Sequence, residues 1–364
     1  MLAYAVLFFT TTILFVIWTL IKEKKYSFAL DLLFGSIIFV FVGFRYRVGG
    51  DWNNYNNIFN NYIVSGLSPD FDPAFQLIIQ VAAAFDHSYA NLIINIYYIS
   101  LFLIFFYMFN YLYLKKKFSV LQIAWVIFPI FLFLQATGYI RQAVVCVFII
   151  PISYYSLKKQ YPKSITFVLL SALFHKSALV YGFMPLFYFF KFDLQAISFF
   201  IKSKKMSRWT ICVALIFLIF ILGFFLRRWG LSYINGQLAS KGVALRLLYL
   251  LALLSPILWL SRQNLLKTIQ KYWVLFLILT GLFVVVCYYF STLIDRYLLY
   301  FYIPAAIYVI SRLSPDNRAN RQLVSFYVGM FMVNSAYIIF WLKYSYHGST
   351  KWIPFCHMWL GCYQ

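Results

Sequence analysis

The sequence predicts an all-α, polytopic membrane protein, and three observations carry that reading. The 364 residues are 64% hydrophobic, 23% aromatic and only 11% charged, outside the range of soluble domains. Apolar runs recur along the whole chain, many near the roughly 20 residues a helix needs to cross a bilayer. The Lys and Arg residues collect in alternate loops between those runs. Together they predict one transmembrane domain over residues 1–364 with about 12 membrane helices. An external loop over 45–75 and a short external tail over 343–364 complete it.

The spans are expected near 2–21, 27–44, 90–114, 119–137, 142–157, 163–174, 177–190, 209–226, 244–261, 272–290, 296–311 and 322–342. The first run has no basic leader and no small-residue cleavage site, so it reads as a retained span. Residues 74–86 are too short to cross and fit an interfacial or re-entrant segment. The run over 163–190 is split at His175 because the basic loop that follows requires it. That split puts His175 near the outer face.

The loops at 22–25, 115–117, 158–163, 191–208, 262–271 and 312–321 hold most of the 31 basic residues. The positive-inside rule puts them in the cytoplasm and both termini outside. The net charge of +22 punctuates apolar spans and forms no contiguous basic face, which argues against nucleic acid as a partner. Cys146, Cys212 and Cys287 lie in apolar runs and read as packing residues. Cys356 and Cys362 would pair if the tail faces an oxidising compartment.

Several external residues have no role in topology. The stretch "RYRVGGDWNNYNNIF" (45–59) has Gly49 and Gly50 for a tight turn, and Asp51 suits a helix N-cap. Trp52, Tyr55, Phe59 and Tyr62 follow at helical spacing. Its plain reading is a capped interfacial helix. Its functional reading gives Arg45 and Arg47 to anionic oxygens, Asn and aromatic side chains such as Tyr55 to a sugar, and Asp51 to an incoming hydroxyl proton. Arg141 and Gln142 stand at the outer entrance of a span, and Asp295, Arg296 and Tyr297 stand at another. His175 interrupts an apolar run with Lys176 beside it, as a proton acceptor or as a packing residue. No phosphate-binding loop, zincin motif or nucleophile elbow occurs. Asp70 and Asp72 form the sole D-x-D pair, equally explained as a polar loop, so no metal or other cofactor is expected.

"RYRVGGDWNNY", "GYIRQAV", "LFHKSALV" and "DRYLLYF", in this order, resemble the EpsG-type polysaccharide polymerases of the broader Wzy class of O-antigen and capsule polymerases. The resemblance implies a glycosyltransferase of GT-C-like architecture in the bacterial inner membrane. It would join undecaprenyl-diphosphate-linked oligosaccharide repeat units at the periplasmic face. It implies membrane lipids, a chain-length regulator and other assembly proteins as partners. The motif positions fall on Arg45, Gly49, Asp51, Tyr55, Arg141, Gln142, His175, Ser177, Arg296 and Tyr297. A leaving diphosphate needs preorganised positive charge, assigned to Arg141 and Arg296 with Arg45 or Arg47. Tyr55, Gln142 and Tyr297 fall to the sugars, and Asp51 or His175 is the base. The rival readings are an O-antigen ligase, a lipid-linked oligosaccharide flippase or transporter, and a membrane acyltransferase built on His175.

Overall fold

The computed structural model describes residues 1–21, 24–66, 72–85, 90–114, 118–182, 184–185, 242–263, 291–313, 321–345, 348–353, 355–358 and 361–363. The chain divides into two compact units, Met1–Pro185 with Leu299–Gln364, and Leu186–Leu298.

The first unit contains α1 (Leu2–Leu20), α2 (Lys24–Gly43), α3 (Trp52–Ser65), α4 (Pro73–Ala83), α5 (Ala90–Tyr113), α6 (Val120–Val126), α7 (Ile140–Leu157) and α8 (Tyr161–Ala172). A π-helical segment, Ile130–Ala136, joins α6 to α7, and a 3₁₀ segment, Lys176–Gly182, follows α8. The second unit contributes α9 (Val243–Leu260) and α10 (Ser291–Leu298). The chain returns to the first unit with α11 (Tyr302–Leu313), α12 (Arg321–Tyr344), a π-helical turn at Gly348–Trp352, and strands β1 (Phe355–His357) and β2 (Gly361–Tyr363).

Among the described residues, six helices are long and apolar enough to cross a membrane: α1, α2, α5, α7, α9 and α12. The protein is thus a multi-pass, helical membrane protein. α1 shows why. Tyr4, Leu7, Phe8, Thr11, Leu14 and Phe15 form a buried stripe. Its opposite face exposes Val6, Phe9, Ile13 and Leu20, an apolar surface suited to hydrocarbon and costly in water. α7 is buried on nearly all sides, from Ile140 through Ile152, and packs between α5 and α8.

Two expected spans take a different form, and each break has a local cause. The 119–137 run splits at Pro129, which has no N–H to give the carbonyl of Trp125. Asn334 of α12 supplies the donor instead, at 2.9 Å. The 296–311 run breaks at Leu299–Phe301 between α10 and α11. The Leu299 carbonyl accepts from Gln135 Nε2 at 3.1 Å and meets Cys146 Sγ at 3.6 Å. Irregular backbone at this depth survives because side chains satisfy it. The 163–190 run is interrupted where expected: its α-helix ends at Ala172, the chain turns through Leu173 and Phe174, and the 3₁₀ segment follows His175, while residues 186–190 lie outside the described residues. Residues 74–86 form α4, a helix of 11 residues. The expected spans 209–226 and 272–290 lie outside the described residues.

In the second unit, Arg246 of α9 and Asp295 of α10 form a buried ion pair at 2.5 Å. Asp295 therefore pairs across helices, in addition to sitting beside Arg296 in the chain.

Candidate active site

One end of the first unit collects the polar side chains. The end of α2, the starts of α4, α5 and α7, and the end of α8 all converge there. Tyr4, near the start of α1, donates to the carbonyl of Trp352 at 2.9 Å, so both terminal segments reach the same end.

The centre is a relay on Arg141, the second residue of α7. Its Nε donates to Tyr55 Oη at 3.2 Å, and its Nη1 pairs with Asp72 Oδ2 at 3.1 Å. The guanidinium lies 4.5 Å above the Phe75 ring centroid and 5.4 Å from that of Tyr55. Flat aromatic faces favour a planar cation. Tyr55 in turn donates to Asp51 Oδ2 at 3.1 Å. Asp72 Oδ1 accepts the backbone N–H of Lys176 at 2.8 Å, which ties the 3₁₀ segment to the start of α4. Asp51, Tyr55, Arg141 and Asp72 thus form one connected chain across the starts of α3, α4 and α7.

The electrostatics follow from burial. Tyr55 is pushed well above its ordinary value by burial, with nearby Asp51 next, so its hydroxyl stays protonated and donates. Burial raises Asp72, opposed by Arg141 and the Lys176 N–H. Asp72 remains the counter-charge of Arg141, because an arginine side chain only 14% exposed needs one.

α3 explains the local sequence. Trp52, Tyr55 and Phe59 are buried on one face, and the asparagines at 53, 54, 56, 57, 60 and 61 are exposed. The expected amphipathic helix is therefore present. Asp51 occupies the N-cap position but makes no side-chain cap bond. Its carboxylate receives the Tyr55 hydroxyl instead.

The two arginines before it differ. Arg45 is 2% exposed and donates to the Ala136 carbonyl at 2.8 Å and to Asn95 Oδ1 at 3.0 Å. Burial lowers it to about 10, opposed by Tyr55, Tyr4 and Asp51, so it stays charged at neutral pH. Arg47 is exposed, lies over the Tyr46 ring at 5.1 Å, and adopts φ 55°. Gly49 has φ 109°, and a Cβ there would sit 2.2 Å from the Thr137 carbonyl oxygen. A Cβ on Gly50 would meet only ordinary contacts, the Gly138 carbonyl oxygen and the Trp352 ring, each at 3.5 Å. Only Gly49 is demanded by the turn. Gly49→Ala is expected to destabilise the protein by about 1–3 kcal/mol or more, with Gly50→Ala nearly neutral. Thermal unfolding in detergent measures both.

His175 sits in the turn after α8. Its Nδ1 accepts the Ser177 N–H at 3.2 Å and contacts Ser177 Oγ at 2.9 Å. A backbone N–H can only donate, so a neutral His175 carries its proton on Nε2. Ser177 Oγ also bonds the Tyr300 hydroxyl. Gln142 is 3% exposed. Arg296 and Tyr297 belong to α10 in the second unit, and the relay on Arg141 is built entirely within the first.

Sequence reasoning left Asp72 as half of a loop pair and passed over the polar face of α5. Asn91, Asn95 and Tyr98 are buried there. Asn91 Oδ1, Asn95 Nδ2, Tyr98 Oη and Gln142 Oε1 have no hydrogen-bond partner among the described residues. Their signal was present: two asparagines four apart at the start of an apolar span, where polar groups are costly. Among the described residues no group of three His, Cys, Asp or Glu side chains converges on a metal site.

The profile of the EpsG family matches residues 28–357. The chain belongs to the EpsG family. The match runs from α2 through β1 and so includes every member of the relay. Membership joins the chain to polysaccharide biosynthesis, the coarse function expected from its motifs. No curated protein and no solved structure matches the chain. The EpsG assignment therefore rests on the family profile and on the four motifs.

Proposed function

We propose that this protein is a polysaccharide polymerase of the O-antigen or related surface-polysaccharide type. In this reading it joins undecaprenyl-diphosphate-linked repeat units at the periplasmic face of the bacterial inner membrane. Membership of the EpsG family supports it. The structural observation that carries it is the relay Asp51–Tyr55–Arg141–Asp72 at one end of the first unit.

The acceptor sugar hydroxyl gives its proton to Asp51 as its oxygen bonds the anomeric carbon of the donor. The bond from that carbon to the diphosphate oxygen breaks, and the electron pair leaves with undecaprenyl diphosphate. Arg141, held in orientation by Tyr55, Asp72 and Phe75, stabilises the growing negative charge. Arg45 is occupied by Ala136 and Asn95, so its part is to hold the loop. Exposed Arg47 is the better candidate of the two for the diphosphate. His175, protonated on Nε2, serves as a hydrogen-bond donor, and Asp51 is preferred as the base.

Two further features support a lipid-linked sugar. The unpartnered polar atoms of Asn91, Asn95, Tyr98 and Gln142 offer donors and acceptors together, as sugar hydroxyls require. An apolar cleft of about 570 Å³ runs between α1 and α2, bounded by Val6, Ile37, Val40 and Phe41, and reaches Phe355 and His357. It suits a prenyl chain entering from the bilayer.

Deleting the gene and separating the surface polysaccharide by size tests the reading. A polymerase mutant shows core carrying a single repeat unit in place of the ladder. Core alone, with lipid-linked polymer accumulating, would identify a ligase. An unchanged ladder would rule out both.

A further inference from the structure

The turn that carries Asp51 is held from outside by a distant part of the chain. The Tyr46 N–H donates to the Cys356 carbonyl at 2.9 Å, and the Met358 N–H donates to the Phe44 carbonyl at 2.9 Å. β1 therefore adds alongside residues 44–46, with Arg45 bridged to His357. The Gly49 N–H donates to the Lys351 carbonyl at 2.9 Å. Next to it, Trp352 Nε1 donates to Thr137 Oγ1 at 2.8 Å, and the Thr137 carbonyl is what closes over Gly49. Phe355 stacks on Phe41 at 4.3 Å and meets Tyr4 edge-on at 5.3 Å. The Phe44 carbonyl and the Tyr46 and Gly49 N–H groups are thus all held by backbone of residues 351, 356 and 358.

Two strands of three residues do not hold a hairpin by themselves. Here Cys356 and Cys362 face each other across the β1–β2 ladder and are joined by a disulfide. We infer that residues 348–353, 355–358 and 361–363 form a positioning clamp for the Gly49–Asp51 turn, and that the Cys356–Cys362 disulfide closes it. Closure requires thiol–disulfide exchange with an oxidant that itself carries a disulfide. The two thiols give up two protons and two electrons, and the oxidant's bond becomes two thiols. Such bonds persist in oxidising compartments. The clamp is a second reason, independent of charge, to put this end of the bundle on the external face. Lys351, Trp352 and Cys356 act through the turn and do not touch the reacting atoms.

The activity readout rests on the polymerase reading. A protease readout does not. Arg47 lies exposed inside the clamped turn, so trypsin cleavage after it reports clamp opening. In the full-length protein in detergent, reduction with dithiothreitol is expected to speed that cleavage at least about tenfold. The double variant Cys356→Ser/Cys362→Ser should be cut at the fast rate with or without reductant. In membranes, reduction should lower polymer formation about tenfold, and oxidised glutathione should restore it in the wild type but not in the double variant. Equal cleavage after Arg47 in oxidised and reduced wild type would overturn the clamp. So would alkylation of both thiols in the mature protein without reductant. Redox-dependent cleavage without polymer formation in any form would support the clamp and sink the polymerase reading.

Discussion

Replacing Arg141 with alanine is expected to abolish the polysaccharide ladder, a loss in turnover of about 10³-fold or more. Arg141 is the cation of the site's central relay: it touches Tyr55 and Asp72 directly and reaches Asp51 through Tyr55. Two effects must be separated. Removing the guanidinium leaves the Asp72 side chain, 5% exposed, without its ion-pair partner, which costs about 3–5 kcal/mol. That alone would lower the amount of folded protein. The double variant Arg141→Ala/Asp72→Asn relieves the buried charge and should recover membrane expression, with polymer formation still absent. Arg141→Lys keeps a positive charge but loses the planar fork and its stacking on Phe75. It is expected to retain a minor fraction of activity, down about tenfold or more. Western blotting of membranes and ladder analysis of the three variants together give the answer. A normal ladder from Arg141→Ala at wild-type expression would remove this residue from the mechanism.

What was legible in the sequence depends on how local the cause is. Spans such as α1, α2, α5 and α12 follow from composition alone, because a long apolar run has one stable solution in a bilayer. The helix after Asp51 was legible from the spacing of Trp52, Tyr55 and Phe59. The break at His175 was legible from loop charge. Partner choice was not. Nothing near Asp72 says that its carboxylate meets Arg141, 69 residues on, when Asp70 stands two residues away. The capping role expected of Asp51 gave way to Tyr55 for the same reason: a buried hydroxyl four residues along competes for the same oxygen. The break at Pro129 could be foreseen from the proline, but not that Asn334 would meet the carbonyl it orphans. The pairing of Cys356 with Cys362 was conditional on the side of the membrane, and the anchoring of residues 44–49 by the segment around them left no trace in either stretch.

Asp51→Asn is the second large effect, and it decides between two proton acceptors. Asparagine is nearly isosteric and can still accept the Tyr55 hydroxyl, so the turn and α3 should survive. It cannot take a proton. If Asp51 is the base, turnover falls about 10²–10⁴-fold with little change in the concentration of acceptor needed for half-maximal rate. Tyr55→Phe removes a neighbour that orients Asp51 and Arg141 without removing the base, and should cost far less. His175 supplies the contrast. With Nδ1 held by the Ser177 N–H, its available chemistry is donation from Nε2. His175→Gln keeps an N–H donor and should retain much of the activity that His175→Ala loses. A base at His175 would give the reverse pattern, with His175→Gln as inactive as His175→Ala and Asp51→Asn still forming polymer. Measuring the four variants at matched expression therefore assigns the proton. The first pattern is the expected one, because a carboxylate has several acceptor positions, of which Tyr55 uses one, while a neutral imidazole has a single lone pair, here taken by the Ser177 N–H.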